Sequence, residues 1–415
     1  MMQNGILNGM RVIEGSAFVA VPLAGMTLAQ MGAEVIRFDR IGGGLDAGRW
    51  PLSPSKQSLF WAGMNKGKKS IAIDMKAPRA RELVTQIITA PGEDAGLFLT
   101  NLRVRGWMDH ETLSQHRDDL ICVTLTGDRH GRPQVDYTVN PALGIPHITG
   151  PEGSADPVAN ALPAWDLIAG NMCVSALLAA ERHRLRTGRG QDVELSLKDV
   201  AAATLGHLGM IGDAVLNDEE RTKAGNALYG AYGQDFVCAD GRRVMVIGLT
   251  DRQWRGLVRA TDSADAMAAI EARHGVDLRD EGIRWTLRHE ITDVLKPWFA
   301  ARPVDAFRKA FDEAGLTWAE FNTLKEAVAT DPDLSPDNPM FQKLTQPGLG
   351  TFPVPATPVT YSDSARRAPV PAPALGLHTE EILGDVVGLT DTEIAQLFDE
   401  GIVESPQYSS ARPAA

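Results

Sequence analysis

The sequence predicts an α/β fold with a doubly wound sheet, together with a second and smaller domain. Short apolar segments alternate with helical patterns along roughly the first 125 residues, and this alternation indicates βαβ units with parallel strands. A hairpin pattern after residue 225 marks a second region. The chain has 415 residues, which exceeds one ordinary domain of roughly 150 residues and favours two domains.

The first forty residues predict a strand, a helix and a second strand. Residues 11–13 (RVI) and 34–38 (EVIRF) are the apolar strands, and residues 22–31 carry small and apolar side chains at helical spacing. Pro22 lies near the start of this helix and Gly32 follows its end, as helix boundaries favour. Further strands are predicted at 70–74, 96–100 and 120–125, with a helix at 78–89.

The later elements differ in character. Residues 166–184 are small or apolar on nearly every side, which is typical of a fully buried helix. The remaining segments are a strand at 191–197, a hairpin at 236–247 with an Asp-Gly turn, helices at 251–259, 288–299 and 304–315, and two short helices near the C-terminus. Six prolines between residues 353 and 373 predict an extended connector.

Composition excludes several classes of function. The chain carries 41 basic and 53 acidic residues, for a net charge of −12, which disfavours nucleic acid and anionic membranes as partners. Three distant cysteines indicate neither a disulfide framework nor a zinc ribbon. The N-terminus lacks a signal-peptide pattern and the longest apolar run is interrupted. We therefore expect a cytoplasmic protein with no membrane partner.

Common catalytic motifs are absent from the sequence. It contains no phosphate-binding P-loop and no Gly-x-Ser-x-Gly nucleophile elbow. No metal site is predicted, since His289 and Glu290 lack the second histidine of a zinc protease motif. Basic residues are concentrated between Lys66 and Arg105. This cluster is either a solvated surface or a cradle for a polyanionic small ligand, and composition alone does not decide between them.

Asp166 stands out because it directly precedes the apolar helix. Its position suits an N-cap, in which a short carboxylate accepts the first N–H groups of a helix. A carboxylate held there also faces the positive end of the helix dipole and is suited to act as a nucleophile. The two interpretations are compatible.

Five segments resemble the class III CoA-transferases, a family that includes formyl-CoA transferase, carnitine CoA-transferase and α-methylacyl-CoA racemase. They are residues 7–13 (LNGMRVI), 32–37 (GAEVIR), 65–76 (NKGKKSIAIDMK), 186–191 (RTGRGQ) and 375–383 (LGLHTEEIL). The resemblance runs from about residue 7 to residue 403. It implies a Rossmann-like large α/β domain at 1–224, completed by 341–415, and a small α+β domain at 225–340. It also implies a homodimer whose chains interlock like links.

The resemblance also implies roles for individual residues. Asp166 falls on the family's catalytic aspartate. The positions that contact CoA fall on Arg40, Ile73, Lys76, Asn101 and Arg105, with Arg103 as the competitor for the last. Further candidates to contact the acyl group are Val19, Tyr137, Tyr229 and Tyr232, and candidates to bind a free carboxylate are Arg49 and His147.

Two departures from the sequences of other family members narrow the range of expected substrates. The glutamine that lines the formyl-CoA transferase pocket appears here as Val19, and that enzyme's run of consecutive glycines is missing. Formyl and oxalyl substrates are therefore disfavoured. The racemase branch needs a histidine near Asp136, whose neighbours here are Val135 and Tyr137.

Segments 14–20, 37–46, 60–67, 135–141 and 206–211 resemble one branch of the family more closely. That branch moves CoA between the two carboxyl groups of one unsaturated dicarboxylic acid, through a thioester of the aspartate. The resemblance implies no permanently bound cofactor; coenzyme A belongs to the substrate and to the covalent intermediate. The implied partners are an acyl-CoA and a second copy of the chain. The alternatives are an intermolecular CoA-transferase, a racemase and a non-catalytic CoA-binding protein.

Overall fold

A computed structural model describes residues 5–102, 104–217 and 220–406. Its strands are β1 (Arg11–Gly15), β2 (Glu34–Asp39), β3 (Lys69–Ile73), β4 (Leu97–Thr100), β5 (Ile121–Thr126), β6 (Gln191–Ser196), β7 (Tyr232–Val237), β8 (Arg243–Gly248), β9 (Thr317–Glu320), β10 (Phe341–Gln346), β11 (Gly350–Pro355) and β12 (Val403–Glu404).

The α-helices of the described residues are α1 (Ala20–Met31), α2 (Leu59–Met64), α3 (Pro78–Ile88), α4 (His110–Leu113), α5 (Asp136–Ala142), α6 (Ile145–Ile148), α7 (Ala164–Thr187), α8 (Leu197–His207), α9 (Met210–Leu216), α10 (Asp251–Ala260), α11 (Ala264–His274), α12 (Glu281–Thr286), α13 (Arg288–Ala300), α14 (Arg308–Glu313), α15 (Leu324–Thr330), α16 (Thr379–Ile382) and α17 (Asp391–Asp399). No helix among these residues is long and apolar enough to cross a membrane.

Contacts divide the chain into two compact units. The first unit contains residues 1–143, 161–212 and 332–415, and the second contains 144–160 and 213–331. With the boundaries predicted from the sequence, residues 144–160 and 213–224 belong to the large domain and residues 332–340 to the small one. The functional domain boundaries at 224 and 340 stay a prediction.

The first unit is built on a seven-stranded sheet with the order β12-β3-β2-β1-β4-β5-β6. All of its pairings are parallel except that of β12 with β3. Without β12, this is the strand order 3-2-1-4-5-6 of Rossmann folds, so the predicted α/β fold is confirmed. Strands β2 and β4 lie on opposite sides of β1, so the chain connections that lead away from β1 and from β4 run in opposite directions. A crevice therefore opens beyond the carboxyl ends of β1 and β4.

Helices α1 and α7 pack closely at their N-terminal ends. A Cβ atom added to Gly170 would lie 2.6 Å from the carbonyl oxygen of Ala20, so this approach requires glycine. The prediction that residues 166–184 form a fully buried helix is wrong for a single chain. The side of α7 opposite its packed face is open, and Met172 is 44% exposed there.

The second unit contains the antiparallel sheet β7-β8-β9. The predicted hairpin is confirmed as β7 and β8, and Gly241 in its turn adopts a left-handed φ of 79°. The predicted helix at 304–315 is divided into a 3-10 turn, Val304–Ala306, and α14. Aromatic side chains fill the core of this unit, with Phe299 stacked on Phe236 at 4.3 Å between ring centroids.

The C-terminal part of the chain returns to the first unit. Part of the proline-rich stretch forms the hairpin strand β11, and the rest is irregular, as predicted for a connector. The indole nitrogen of Trp61 donates to the carbonyl of Pro373 at 2.9 Å, which anchors the connector. The capping box of Thr390 and Glu393 begins α17, one of the predicted C-terminal helices, and β12 closes the edge of β3.

A buried cluster of charges lies at the carboxyl end of β1 and β2. Arg37 is 1% exposed, and its guanidinium pairs with Asp39 and Asp46 at 2.8 Å each and with Glu14 at 3.4 Å. Lys68 adds a second cation, 2.8 Å from Glu14. We call these five residues the Arg37 cluster. It joins β1, β2 and the segments around residues 46 and 68, because every buried charge needs its partners.

Replacing Arg37 by leucine should destabilise the protein by about 3–5 kcal/mol, because three buried carboxylates would lose their shared cation. The matched control is Arg11→Leu, which breaks a partly exposed pair with Glu34 and should cost about 0–1 kcal/mol. Equilibrium urea denaturation followed by circular dichroism measures both losses. Equal losses for the two variants would contradict this account of the cluster.

Candidate active site

A cavity of about 620 Å³ opens at the carboxyl edge of the seven-stranded sheet, within the size range of small-molecule sites. Its wall includes residues 17–20 after β1, Asn101 after β4, and residues 126–127 and 131–137 at and beyond the end of β5, and Asp166 of α7 also lines it. We call it the Asp166 cavity. It lies where the connections on either side of β1 diverge, the usual ligand site of such sheets.

Asp166 is the third residue of α7, so the prediction that it caps this helix is wrong. The N-cap is Pro163, which offers no side-chain bond. The carboxylate of Asp136, the first residue of α5, takes over this task by accepting the main-chain N–H groups of Trp165 at 2.8 Å and Asp166 at 3.3 Å. The helix can therefore begin at Ala164, three residues before the start that a cap at Asp166 would give, which leaves the Asp166 side chain free to line the cavity.

Asn101 fixes the opposite wall. Its side-chain oxygen accepts the N–H of Ala17 at 3.0 Å, and its nitrogen donates to the carbonyl of Ala17 at 2.8 Å. The next residue, Phe18, has a φ of 67°, a left-handed conformation that is strained for a residue with a Cβ atom. The two bonds from Asn101 help to hold this turn in place. Strained backbone of this kind is concentrated at functional sites.

The comparisons with known proteins agree with this architecture. The family model for CoA-transferase family III matches residues 7–379. The chain belongs to CoA-transferase family III. The family predicted from the sequence is thereby confirmed.

One relative is the 2-methylfumaryl-CoA isomerase of Chloroflexus aurantiacus, which is 55% identical over 98% of this chain and 100% of its own. The succinyl-CoA:glutarate CoA-transferase of Mus musculus is 27% identical over 96% of this chain and 90% of its own. A crystal structure of a CAIB/BAIF family protein from Brucella suis has the same fold, with a TM-score of 0.74 at 23% identity, covering 92% of this chain and 100% of its own.

The electrostatics of this family III chain distinguish Asp166 from an ordinary surface carboxylate. Burial, together with the nearby charge of Asp136, raises the pKa of Asp166 to about 6. Burial also raises the pKa of Asp136, although the N–H groups of Trp165 and Asp166 oppose this. With a pKa of about 6, Asp166 is about nine-tenths ionised at pH 7 and is more basic than a free aspartate.

The charged residues predicted to bind CoA share one edge of the sheet. Arg40 follows β2, Lys76 follows β3 and Arg105 follows β4, all at carboxyl ends of parallel strands. All three are exposed, and Arg40 is oriented by a 2.6 Å bond from its Nε atom to the carbonyl of Gly43. Their role in binding CoA stays a prediction, and the competitor Arg103 lies outside the described residues.

One of the two remaining predicted CoA contacts, Ile73, needs correction. Ile73 is completely buried in the core of the first unit, so its side chain is not available to a ligand. The amide group of Asn101 bonds to Ala17 through both of its polar atoms. Asn101 lines the Asp166 cavity and supports its wall, and its contact with CoA stays a prediction.

The predicted contacts of the acyl group divide between the two units. Val19 and Tyr137 line the Asp166 cavity. Tyr232 is fully buried in the core of the second unit, with its hydroxyl 3.1 Å from that of Thr292, which corrects its expected contact with the acyl group. Tyr229, also in the second unit, is 46% exposed and stacks against Arg221 and Trp285.

The two candidates to bind a free carboxylate, Arg49 and His147, also lie in different units. Arg49 lines the Asp166 cavity, whereas His147 is an exposed residue of α6 in the second unit.

Sequence reasoning missed the role of Asp136. Its 30-residue separation from Asp166 leaves no periodic signal, and only the fold joins the two carboxylates. Phe18 and Phe60, which also line the cavity, lie within segments that carry the family resemblance and have no local signal of their own. A phenylalanine in a left-handed turn cannot be recognised from a local pattern.

The Asp136→Asn variant should lower the pKa of Asp166 from about 6, because it removes a like charge while its amide oxygen still accepts the N–H groups of α7. Carboxyl-carbon NMR of selectively labelled aspartate measures the titration, and Asp166→Asn assigns the signal. The control, Asp118→Asn, changes an exposed aspartate and should leave the pKa unchanged. A pKa that stays near 6 in Asp136→Asn would contradict the coupling of the two carboxylates.

Proposed function

We propose that the protein converts 2-methylfumaryl-CoA to 3-methylfumaryl-CoA by moving CoA between the two carboxyl groups of the same acid. The observation that carries this proposal is the location of a half-buried carboxylate, Asp166, in a cavity at the carboxyl edge of the sheet. The 55% identity to a 2-methylfumaryl-CoA isomerase over nearly the whole chain supports the choice of substrate.

The first half of the reaction transfers CoA to the protein. The Asp166 carboxylate attacks the C1 carbonyl of the thioester, which gives a mixed anhydride and releases CoA thiolate. The thiolate then attacks the aspartyl carbonyl and expels the C1 carboxylate of the acid, leaving an aspartyl-CoA thioester. A raised pKa makes the Asp166 carboxylate a stronger nucleophile than a free aspartate, while most of it remains ionised at neutral pH.

The second half repeats these steps at the other end of the acid. The C4 carboxylate attacks the aspartyl-CoA thioester and forms a new mixed anhydride with release of thiolate. The thiolate attacks the C4 carbonyl, giving the C4 thioester and regenerating Asp166. Each anhydride is uphill, because the pKa values of a thiol and a carboxylic acid differ by roughly 4–5 units. The site must therefore retain the thiolate and exclude water.

The beginning of α1 provides N–H donors for the developing oxyanions. Val19, the N-cap, gives no side-chain bond, so it does not cap the N–H groups of the first turn. Val19 and Ala20 both line the cavity that contains Asp166. Uncapped N–H groups at the N-terminus of a helix stabilise negative charge on a carbonyl oxygen.

The CoA nucleotide would lie along the carboxyl edge of β3, β2 and β4. The exposed residues Arg40, Lys76 and Arg105 project from the ends of these strands. The acyl end of the substrate would enter the Asp166 cavity beside β1. No permanently bound cofactor is needed, because CoA itself supplies the thiol and Asp166 supplies the carboxylate.

A homodimer is part of the proposal. The open side of α7 carries Met172, Ser175 and Ala179 at helical spacing, all exposed in the single chain. A stripe of small and apolar residues on a long helix suits packing against a second copy. This explains why the sequence of α7 is typical of a buried helix although one of its sides is open in the single chain.

Three alternatives differ from this proposal in their chemistry. An intermolecular CoA-transferase would incorporate free acid from solution, and the matches to succinyl-CoA:glutarate CoA-transferases at 25–27% identity keep this candidate open. A racemase would exchange an α-proton with deuterated water. A non-catalytic CoA-binding protein would bind the ester without turnover. Location in the cytoplasm is part of the same proposal.

Purified protein incubated with 2-methylfumaryl-CoA should produce 3-methylfumaryl-CoA, detected by chromatography. The Asp166→Ala variant should reduce turnover by at least about 100-fold, because it removes the nucleophile, while the CoA ester still binds. The Asp118→Asn variant serves as the control for an exposed carboxylate. If Asp166→Ala retained more than about one hundredth of the activity, the covalent role of Asp166 would be wrong.

The Arg40→Ala variant should raise KM about 10- to 100-fold, because a charge-assisted phosphate bond contributes about 1.5–3 kcal/mol. Arg11→Ala is the matched control, since Arg11 begins β1 at the opposite edge of the sheet. Steady-state kinetics with 2-methylfumaryl-CoA measure both variants. An unchanged KM in Arg40→Ala would mean that Arg40 is an ordinary surface residue that does not bind CoA.

Transfer should be intramolecular, so that the acid and CoA of one substrate molecule stay together. Unlabelled ester is mixed with ester that carries isotope in both the acid and the CoA. Mass spectrometry at early times should then find products with both labels or with neither. Substantial crossed products would favour the intermolecular alternative.

A further inference from the structure

The substrate proposed above carries a free carboxylate that enters a cavity already lined by Asp136 and Asp166. A third negative charge in such a place requires a cation or several hydrogen bonds. Among the described residues that line the cavity, Arg49 and Arg132 are the only arginines or lysines. Arg132 is already paired, because its Nε atom lies 2.6 Å from the carboxylate of Asp128.

Most of the other polar side chains of the cavity are also engaged. Asn101 bonds to Ala17, the hydroxyl of Thr126 donates to main-chain carbonyls, and the amide oxygen of Gln134 accepts from Thr138. The guanidinium of Arg49 pairs with no carboxylate in the described part of the chain. Arg49 is thus the one unneutralised cation among the described residues of this wall.

Two aromatic rings orient Arg49. Its guanidinium carbon lies 4.9 Å from the ring centroid of Phe18 and 5.3 Å from that of Phe60, and both rings line the same cavity. The main chain of Arg49 is held as well, since its N–H donates to the carbonyl of Asp46 at 3.3 Å and its carbonyl accepts from Ser58 at 2.6 Å. Contacts with ring faces leave the N–H edge of a guanidinium available for a carboxylate.

We propose that Arg49 binds the free carboxylate of the acyl group and thereby makes the site selective for the CoA esters of dicarboxylic acids. This inference rests on the proposed function, because it identifies how the same site recognises its substrate. Phe18 and Phe60 fix the direction of the guanidinium. The fork of N–H donors then matches a carboxylate through two parallel bonds.

Binding is measured by calorimetry in the Asp166→Ala background, where the ester is not turned over. The ligands are 2-methylfumaryl-CoA and its methyl ester at the free carboxylate, which has nearly the same shape without the charge. Arg49→Gln should weaken binding of the free acid about 10- to 100-fold and leave binding of the methyl ester about unchanged. Arg49→Lys should recover part of the preference, because it keeps the charge but not the fork.

The control is Arg255→Gln in the same background, which removes an exposed arginine from α10 and should leave both affinities unchanged. If Arg49→Gln does not fold, Arg49→Met replaces it, because methionine keeps an unbranched stem between the rings. The same result is expected: weaker binding of the free acid and unchanged binding of the methyl ester. Equal weakening of both ligands, or no weakening of either, would overturn the proposal. Because this assay needs no turnover, its result is independent of whether the wild-type protein isomerises 2-methylfumaryl-CoA.

Discussion

The pairing of Arg37 with three buried carboxylates constrains the geometry of the functional edge more than any other interaction described above. Charges removed from water are very costly unless they are paired, so few arrangements of their backbones are acceptable. Arg37 also donates to the carbonyl of Ser16 at 3.2 Å, directly before the strained turn at Phe18. Asp46, another member of the Arg37 cluster, accepts the N–H of Arg49 through its carbonyl. The cluster therefore positions two walls of the cavity at once.

The order of the strands divides the functional edge into two parts. The exposed cations follow β2, β3 and β4, whereas the Asp166 cavity opens beside β1 and β5. A long ligand with a polyanionic nucleotide and a small acyl group suits such a division. The close packing of α1 on α7 at Gly170 brings the N-terminal ends of both helices to this edge. The N–H groups of α1 and the carboxylate of Asp166 in α7 thus belong to rigid elements.

Asp166 combines requirements that oppose one another. A nucleophilic carboxylate must be ionised, yet a fully solvated aspartate is a weak base. Partial burial and the proximity of Asp136 raise the pKa of Asp166 to about 6, which makes this carboxylate more basic than a free aspartate. Asp136 is itself held by the N–H groups at the start of α7. Asp136 therefore caps α7 and also raises the pKa of the neighbouring Asp166. A cation in the place of Asp136 would do neither.

The parallel βαβ pattern, the hairpin of the second unit and the family could all be predicted from the amino-acid sequence, because they depend on local periodicity and on continuous motifs. The sequence also singled out Asp166 and the cations that follow the strands. Only the tertiary structure showed that Asp136 caps α7, that Ile73 and Tyr232 are buried, and that Arg49 lies between two aromatic rings. These features join residues far apart in the chain, and burial and electrostatic coupling exist only after the chain has folded.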